Sequence, residues 1–303
     1  MSLSPNLRAA LLMMASMSAF TVNDACMKLI GTNLPFFQGV FLRGILITFA
    51  LVGLAAVMGQ LHLPVAPRDR ALIAARTLAE MAATIFFLTA LYNMELANLS
   101  AILQALPLTV TLAAMLVLGE PVGWRRMAAI GTGFIGVLLI IQPGTDGFNT
   151  WSLMGVGAVL TVTVRDLTAR RLSPRVPTLQ VALAAAVGVT GMGAVGSLVQ
   201  GWLPPAPRDL ALLAGAALAL MIGYIAAVSA MRSGDIAFVA PFRYTSLVVA
   251  LVLGLVVFGD WPDPLTLAGA AIVVATGLFT IYREQRSRRA ERIAQAARGL
   301  RIR

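Results

Sequence analysis

The chain has 303 residues, of which 59% are apolar and only 12% are charged, and its mean hydropathy is +0.86. A soluble domain carries about 25% charged residues, so this composition excludes an ordinary water-soluble protein and indicates a protein whose solvent is lipid. The formal net charge is +10, but the arginines occupy short loops and the C-terminal tail, which argues against nucleic acid as a partner. One Cys and one His exclude a disulfide framework and a zinc site built on these ligands, and we expect no metal and no cofactor.

Ten apolar segments of roughly 18 to 24 residues follow one another, each long enough to cross about 30 Å of hydrocarbon. Their approximate limits are 8–29, 36–58, 71–92, 98–118, 126–142, 151–171, 177–200, 209–231, 236–258 and 265–282. Strands of a membrane barrel are about 10 residues long and alternate in polarity, which these segments do not. The sequence therefore predicts an all-α integral membrane protein with ten transmembrane helices.

The placement of arginine predicts the orientation, because cytoplasmic loops are enriched in Lys and Arg. With the N-terminus inside, the inner loops hold Arg68, Arg70, Arg125, Arg126, Arg170, Arg171, Arg175 and Arg232, and the outer loops hold Glu95, Asp146, Asp260, Asp263 and Arg208. We expect a multi-pass protein of a bacterial inner membrane with both termini in the cytoplasm. The basic tail, 283–303, is predicted to form a short interfacial helix against anionic lipid.

The chain contains two similar copies, predicted as a first five-helix repeat over 1–146 and a second over 147–282. Glu95 aligns with Asp235, and Gly119-Glu120 with Gly259-Asp260, at an offset of 140 residues, whereas Asp24 aligns with Asp166 at an offset of 142. Because five is odd, the second copy enters the membrane upside down, and we expect two inverted repeats around a central cavity. Transporters built in this way bind substrate near the midplane, at the interface between the repeats.

Residues 88–121, LTALYNMELANLSAILQALPLTVTLAAMLVLGEP, resemble the signature of the drug/metabolite transporter superfamily, EamA type. The second copy is similar to the matching half of bacterial members that include amino-acid exporters and S-adenosylmethionine carriers. The resemblance covers nearly the whole chain. It implies a ten-helix carrier whose cavity is lined chiefly by helices 1, 3, 4, 6, 8 and 9, and it leaves the cargo open.

Charged residues within the spans need a partner or a task, because a charge at the bilayer centre costs several kcal/mol. Asp24 and Lys28 stand four residues apart on the first helix, and Asp166 and Arg170 repeat this spacing in the second copy. We expect two intrahelical charge pairs that act as scaffold or as gate. Asn23 points elsewhere and is a candidate for the cavity wall.

The third helix contains a further pair at helical spacing, Arg76 and Glu80. Arg76 belongs to a gate or snorkels to the inner surface, whereas Glu80 either binds a substrate amine or remains paired with Arg76. Arg165 has no free acid on its own face if Asp166 is matched with Arg170. It is therefore expected to pair with Glu80 or to hold a substrate carboxylate.

Arg243 is the first candidate for a carboxylate ligand, because it follows Pro241 in the ninth helix. A proline within a span frees a backbone carbonyl and bends the helix, and an unpaired arginine offers two parallel donors. Snorkelling to the inner face is the alternative. Pro107 is predicted to bend the fourth helix in the same way. The other substrate-binding candidates are Gln104, Tyr224 and Tyr244, whereas Tyr92 is assigned to the interfacial aromatic belt.

These features predict a secondary transporter that works by alternating access, with export of amino acids as the first choice of activity. Uptake of S-adenosylmethionine or a similar nucleoside-like metabolite is the alternative, and a non-transporting membrane enzyme is a remote one. The expected partners are a small zwitterionic metabolite and the lipid bilayer. A monomer and a homodimer both remain open.

Overall fold

The computed structural model describes residues 5–59, 66–119, 122–145, 148–173, 175–233 and 236–300, with side chains except in 232–237 and 284–300. The single histidine, His62, lies outside these ranges, as do three residues named above, Glu120, Asp146 and Asp235. Within them all regular structure is helical, and ten helices are long and apolar enough to cross a membrane. The predicted all-α membrane architecture is confirmed.

We number the helices by span. They are α1 (Pro5–Ile30), α2 (Phe36–Val57), α3 (Pro67–Asn93), α4 (Leu96–Leu118), α5 (Trp124–Ile141), α6 (Ser152–Arg170), α7 (Thr178–Gln200), α8 (Pro207–Ser233), α9 (Ala240–Phe258) and α10 (Pro264–Leu300). The end of the bundle at which α1 ends and α4 begins is called the outer end here, after the predicted orientation, and the opposite end is called the inner end.

Prolines explain several helix starts that lie before the predicted limits. Helices α3, α8 and α10 begin at Pro67, Pro207 and Pro264, where the missing N–H costs nothing because the first helical N–H groups have no intrahelical acceptor. At the other end of the chain, α10 continues without a break to Leu300. The tail is helical as predicted up to Leu300, although it continues α10 instead of forming a short helix of its own, and its position against anionic lipid stays a prediction.

Helices of the two predicted copies pack against each other in four pairs. The pairs are α1 with α8, α3 with α6, α2 with α7, and α5 with α10, so the interface between the copies runs through the whole bundle. Each copy contributes one helix to every pair. The inverted orientation of the second copy stays a prediction from the number of spans.

Glycine permits the closest of these approaches. A Cβ on Gly193 of α7 would lie 2.7 Å from the backbone nitrogen of Phe41 in α2, and a Cβ on Gly136 of α5 would lie 2.9 Å from the carbonyl oxygen of Gly269 in α10. Such contacts let helix backbones meet directly, as is common in membrane bundles. Gly191, on α7 as well, would place its Cβ within 4 Å of nothing.

Two helices are irregular, and each contains a predicted proline bend. Helix α4 consists of two segments, Leu96–Leu103 and Leu106–Leu118, and Pro107 lies in the first turn of the second segment. Helix α9 begins as a 3₁₀ turn, Ala240–Tyr244, which contains Pro241. Both interruptions agree with the loss of a backbone donor at proline.

The main hydrophobic core lies toward the outer end. Met27 and Ile30 of α1, Leu88 and Leu91 of α3 and Leu96 of α4 are at most 1% exposed and belong to one cluster. The outer ends of α1, α3 and α4 are therefore in direct contact. A smaller cluster of α1, α8 and the segment before α9 packs at the inner end.

Candidate functional site

Two helices, one from each copy, bring charged side chains together between the copies. Glu80 of α3 accepts hydrogen bonds from Nη1 of Arg165 in α6 at 3.2 and 3.4 Å, and its Oε2 lies 3.6 Å from Nη2 of Arg76, four residues earlier in α3. Arg165 also donates from Nε to Oδ1 of Asp166 at 2.9 Å. Glu80 therefore joins the two copies of the chain through ion pairs on two helices.

A second group of polar side chains lies on α1 and α2. Nδ2 of Asn23 donates to Oδ1 of Asp24 at 2.9 Å, and Nη1 of Arg43 in α2 donates to Oδ1 of Asn23 at 3.3 Å. Arg43 is also within electrostatic range of Glu80, so it links this group to the ion pairs of α3 and α6. We call Asn23, Asp24, Arg43, Arg76, Glu80, Arg165 and Asp166 the central charged cluster.

An aromatic ring borders the cluster. Tyr224 of α8 packs edge-on against Phe20 of α1, with ring centroids 5.4 Å apart, and it is within electrostatic range of Glu80 and Arg165. Tyr224 is nevertheless 45% exposed. The side chains of Glu80 and Arg165 are also reached by solvent, at 21% and 25% exposure. The cluster thus combines both signs of charge with an accessible aromatic surface.

The predicted pair of Asp24 with Lys28 is wrong. Nζ of Lys28 instead donates to the carbonyl oxygens of Leu91 at 3.0 Å and Met94 at 2.6 Å, at the end of α3, and lies 5.4 Å from the ring centroid of Phe258. The last carbonyls of a helix have no intrahelical donor and carry partial negative charge, which explains why they attract the ammonium group. Lys28 therefore ties α1 to α3 at the outer end.

Asp166 forms an ion pair with its neighbour Arg165: Nε and Nη2 of Arg165 both lie 2.9 Å from Oδ1 of Asp166. The assumption that Asp166 is unavailable to Arg165 because it is matched with Arg170 is therefore wrong. Arg170 is the last residue of α6 and lies five residues after Arg165. The structure brings Arg165 to Glu80, one of the two alternatives that the sequence leaves open.

The structure does not bring Arg243 to the cluster. Arg243 lies in the 3₁₀ turn at the start of α9 and is exposed. Tyr244 is buried with its hydroxyl against Gly277 of α10 and without a hydrogen-bond partner among the described residues. Gln104 is buried at the break of α4 and donates to Oγ of Ser246 in α9 at 3.0 Å. These residues connect helices rather than line the charged cluster.

Two residues near the cluster are missed by the sequence reasoning. Arg43 is the sole charged residue in the sequence of α2, and that isolation is the signal that could have identified it. Tyr92 does not belong to the interfacial belt: its ring packs on Gly31 and, edge-on at 5.7 Å, on Phe36. Its hydroxyl is buried without a partner in the described part of the chain and is within electrostatic range of Arg43.

Acidic residues gather at the outer end, close to Lys28. Burial, together with the carboxylates of Asp260 and Asp263, raises the pKa of Glu95, although Lys28 opposes this shift. Asp263 behaves differently, since burial acts to raise its pKa but hydrogen bonds from Thr266 and its neighbours lower it below the usual value. Across the residues that the structure describes, no group of His, Cys, Asp and Glu is arranged to hold a metal ion.

Comparisons with known proteins agree with this architecture. The model of the EamA-like transporter family matches residues 7–142 and 149–282, one match in each predicted copy. The S-adenosylmethionine uptake transporter of Rickettsia prowazekii is 26% identical over 275 residues, which cover 90% of this chain and 92% of that protein. The riboflavin transporter of Vibrio cholerae is 32% identical over 196 residues, 64% of this chain and 65% of its own.

A crystal structure with 17% sequence identity superposes with a TM-score of 0.63 and covers 89% of this chain and 94% of its own. At this identity the likeness concerns the fold alone. The family match spans nearly the whole chain, and the named relatives are transporters rather than enzymes. The chain therefore belongs to the EamA-like transporter family of the drug/metabolite transporter superfamily.

Proposed function

We propose that this transporter takes up S-adenosylmethionine, or a nucleoside-like metabolite with the same charged groups, across the bacterial inner membrane. The observation that carries the proposal is the similarity to S-adenosylmethionine uptake transporters along 90% of the chain. The transport is secondary and proceeds by alternating access, with both termini in the cytoplasm.

The central charged cluster supports this class of cargo. S-adenosylmethionine carries a carboxylate, an ammonium and a sulfonium group beside an adenine ring. The cluster supplies three carboxylates, of Asp24, Glu80 and Asp166, and three guanidinium groups, of Arg43, Arg76 and Arg165. Charges in a membrane interior must be paired, so a cargo with both signs can exchange partners with these ion pairs. Tyr224 and Phe20 provide the apolar and aromatic surface for a planar ring.

Amino-acid export, the first choice from the sequence, receives no support from the named relatives. Its leading ligand, Arg243, is exposed at the inner end of α9. The amino-acid end of S-adenosylmethionine makes the same chemical demand on the site as a free amino acid, so the mixed charges of the cluster favour neither cargo over the other. The named relatives therefore support the nucleoside-like substrate over a free amino acid.

Riboflavin transport is a second candidate, favoured by 32% identity to the Vibrio cholerae riboflavin transporter. Riboflavin is a neutral planar molecule with a polar chain. It would use the ring of Tyr224 and hydrogen bonds rather than the ion pairs of the cluster. A cluster variant that removes one charge should therefore affect riboflavin transport much less than S-adenosylmethionine transport.

The test uses purified protein in liposomes with labelled S-adenosylmethionine, riboflavin and a panel of amino acids, with and without a pH gradient and with each unlabelled substrate inside. We expect saturable uptake of S-adenosylmethionine that falls at least tenfold in Glu80→Gln. The matched control Glu95→Gln makes the same chemical change outside the cluster and should retain uptake. Uptake of riboflavin alone would favour the second candidate, and flux of amino acids alone would restore the first choice from the sequence.

A further inference from the structure

We propose that Arg43 binds the substrate carboxylate and sets the preference of this transporter for carboxylated substrates. The inference rests on the proposed function, because it assigns a role within the same site. Arg43 has no partner at helical spacing, and its isolation as the single charge of α2 does not show what it binds. Its surroundings in the bundle do.

Arg43 lies where the two copies of the chain meet. Its guanidinium is within electrostatic range of Asp24 on α1, Tyr92 and Glu80 on α3, and Tyr224 on α8. Tyr224 belongs to the second copy, and the other three belong to the first. Helix α2 itself packs on α7 and α8 of the second copy. A ligand held by Arg43 would therefore lie at the interface between the two halves, where a carrier that rocks one half against the other binds its substrate.

Arg43 also has donors to spare. A guanidinium group has five N–H donors, and the hydrogen bond from Nη1 to Asn23 uses one of them, at 3.3 Å. Nε of Arg43 is buried and donates to no acceptor in the described part of the chain, and the hydroxyl of Tyr92 nearby is equally without a partner. Buried polar groups are almost always hydrogen-bonded, and exceptions need an explanation. A carboxylate is the acceptor that fits the planar fork of an arginine, through two parallel bonds.

The other arginines of the bundle are less suited to this role. Arg165 already binds Glu80 and Asp166, with hydrogen bonds between 2.9 and 3.4 Å. Nη1 of Arg76 is also buried without a partner in the described part of the chain, but Nη2 of Arg76 already faces Glu80 at 3.6 Å, and Arg76 lies nearer to the inner end of α3. Arg243 is exposed. By contrast, the carboxylate of Asp24 beside Arg43 accepts the amide of Asn23, so the guanidinium of Arg43 keeps donors for a ligand.

The experiment compares two probes that differ only in the carboxylate: S-adenosylmethionine and its decarboxylated analogue. Competition with labelled S-adenosylmethionine in proteoliposomes gives the apparent affinity of each probe for wild type, Arg43→Gln and Arg43→Lys. Losing a charged hydrogen-bond pair should lower the apparent affinity for S-adenosylmethionine by about 10- to 100-fold in Arg43→Gln. The apparent affinity for the decarboxylated analogue should change by less than about threefold. Arg43→Lys keeps the charge but not the paired donors and should fall between the two.

Arg125→Gln serves as the matched control, because it makes the same chemical change at the exposed inner end of α5, outside the cluster. This control should leave the ratio of the apparent affinities for the two probes as it is in wild type. If Arg43→Gln fails to fold, as judged from its melting in detergent, the ratio measured in Arg43→Lys decides the question. The assignment of Arg43 would be overturned if Arg43→Gln lost apparent affinity equally for both probes, or if the wild type bound both probes with the same apparent affinity. A folded wild type that takes up neither probe would overturn the proposed function and the assignment together.

Discussion

The ion pair between Glu80 and Arg165 offers a direct energetic test of how the two copies are joined. At 3.2 Å and an effective dielectric constant of about 20, the attraction between the two unit charges is roughly 5 kcal/mol before the cost of desolvation. Breaking a buried pair costs about 3–5 kcal/mol, but these side chains are 21% and 25% exposed. Arg165 also keeps Asp166 when Glu80 is changed. We therefore expect Glu80→Gln to lower the free energy of unfolding by about 1–2 kcal/mol.

Arg165→Gln should cost more than Glu80→Gln, because it removes two hydrogen-bonded pairs, with Glu80 and with Asp166. Glu80→Gln removes one such pair and the longer contact of 3.6 Å with Arg76. The double variant completes a cycle whose coupling energy should be about 1–2 kcal/mol for residues in direct contact. The assay is unfolding in mixed micelles by titration with a denaturing detergent, followed by the fluorescence of the four tryptophans. Strictly additive effects of the two single changes would refute the pairing, and equal costs of the two would refute the role given to Asp166.

Three further predictions concern packing and the outer end. Gly193→Ala should lower the melting temperature in detergent because its Cβ would meet the backbone of α2 at 2.7 Å, whereas Gly191→Ala on the same helix should not; equal effects would contradict the close approach. Tyr244→Phe removes a buried hydroxyl without a partner and should leave the melting temperature unchanged or higher, so a clear drop would reveal a hydrogen bond. Lys28→Met should speed the reaction of Cys26, the single cysteine, with a membrane-impermeant thiol reagent, because α1 loses its bonds to α3. Lys28→Arg retains hydrogen-bond donors and should not speed the reaction. An unchanged rate in Lys28→Met would contradict the proposed role of Lys28 in holding α1 to α3.

The sequence predicts the ten spans well because lipid imposes a simple demand on them. Each crossing must satisfy its own backbone hydrogen bonds, so an apolar run of sufficient length identifies a helix. The ends are harder to place, because the hydropathy of Pro67 or Pro264 does not reveal that a helix starts there. The length of α10 is harder still, since its basic continuation to Leu300 is no longer apolar.

The spacing of charged residues predicts an ion pair within one helix only where no other acceptor or donor competes for the same side chain. Arg76 and Glu80 lie close together as their spacing suggests, at 3.6 Å. Asp24 and Lys28 have the same spacing, yet Lys28 turns to the carbonyl oxygens that end α3. Backbone acceptors of a neighbouring helix do not appear in a pattern of charged residues. Arg43 escapes notice for a similar reason, because its neighbours lie on α1, α3 and α8.

The two aspartates that align between the copies show how a repeated unit can produce an asymmetric site. Asp24 and Asp166 each accept a hydrogen bond of 2.9 Å from the residue immediately before them. That residue is Asn23 in the first copy and Arg165 in the second, so the same local geometry presents a neutral amide in one place and a cation in the other. Asn23 can then accept a bond from an arginine, Arg43, whereas Arg165 must find a second acid. Because a cation occupies this position in the second copy alone, the guanidinium with free donors lies beside the first copy, and the substrate carboxylate should bind on that side.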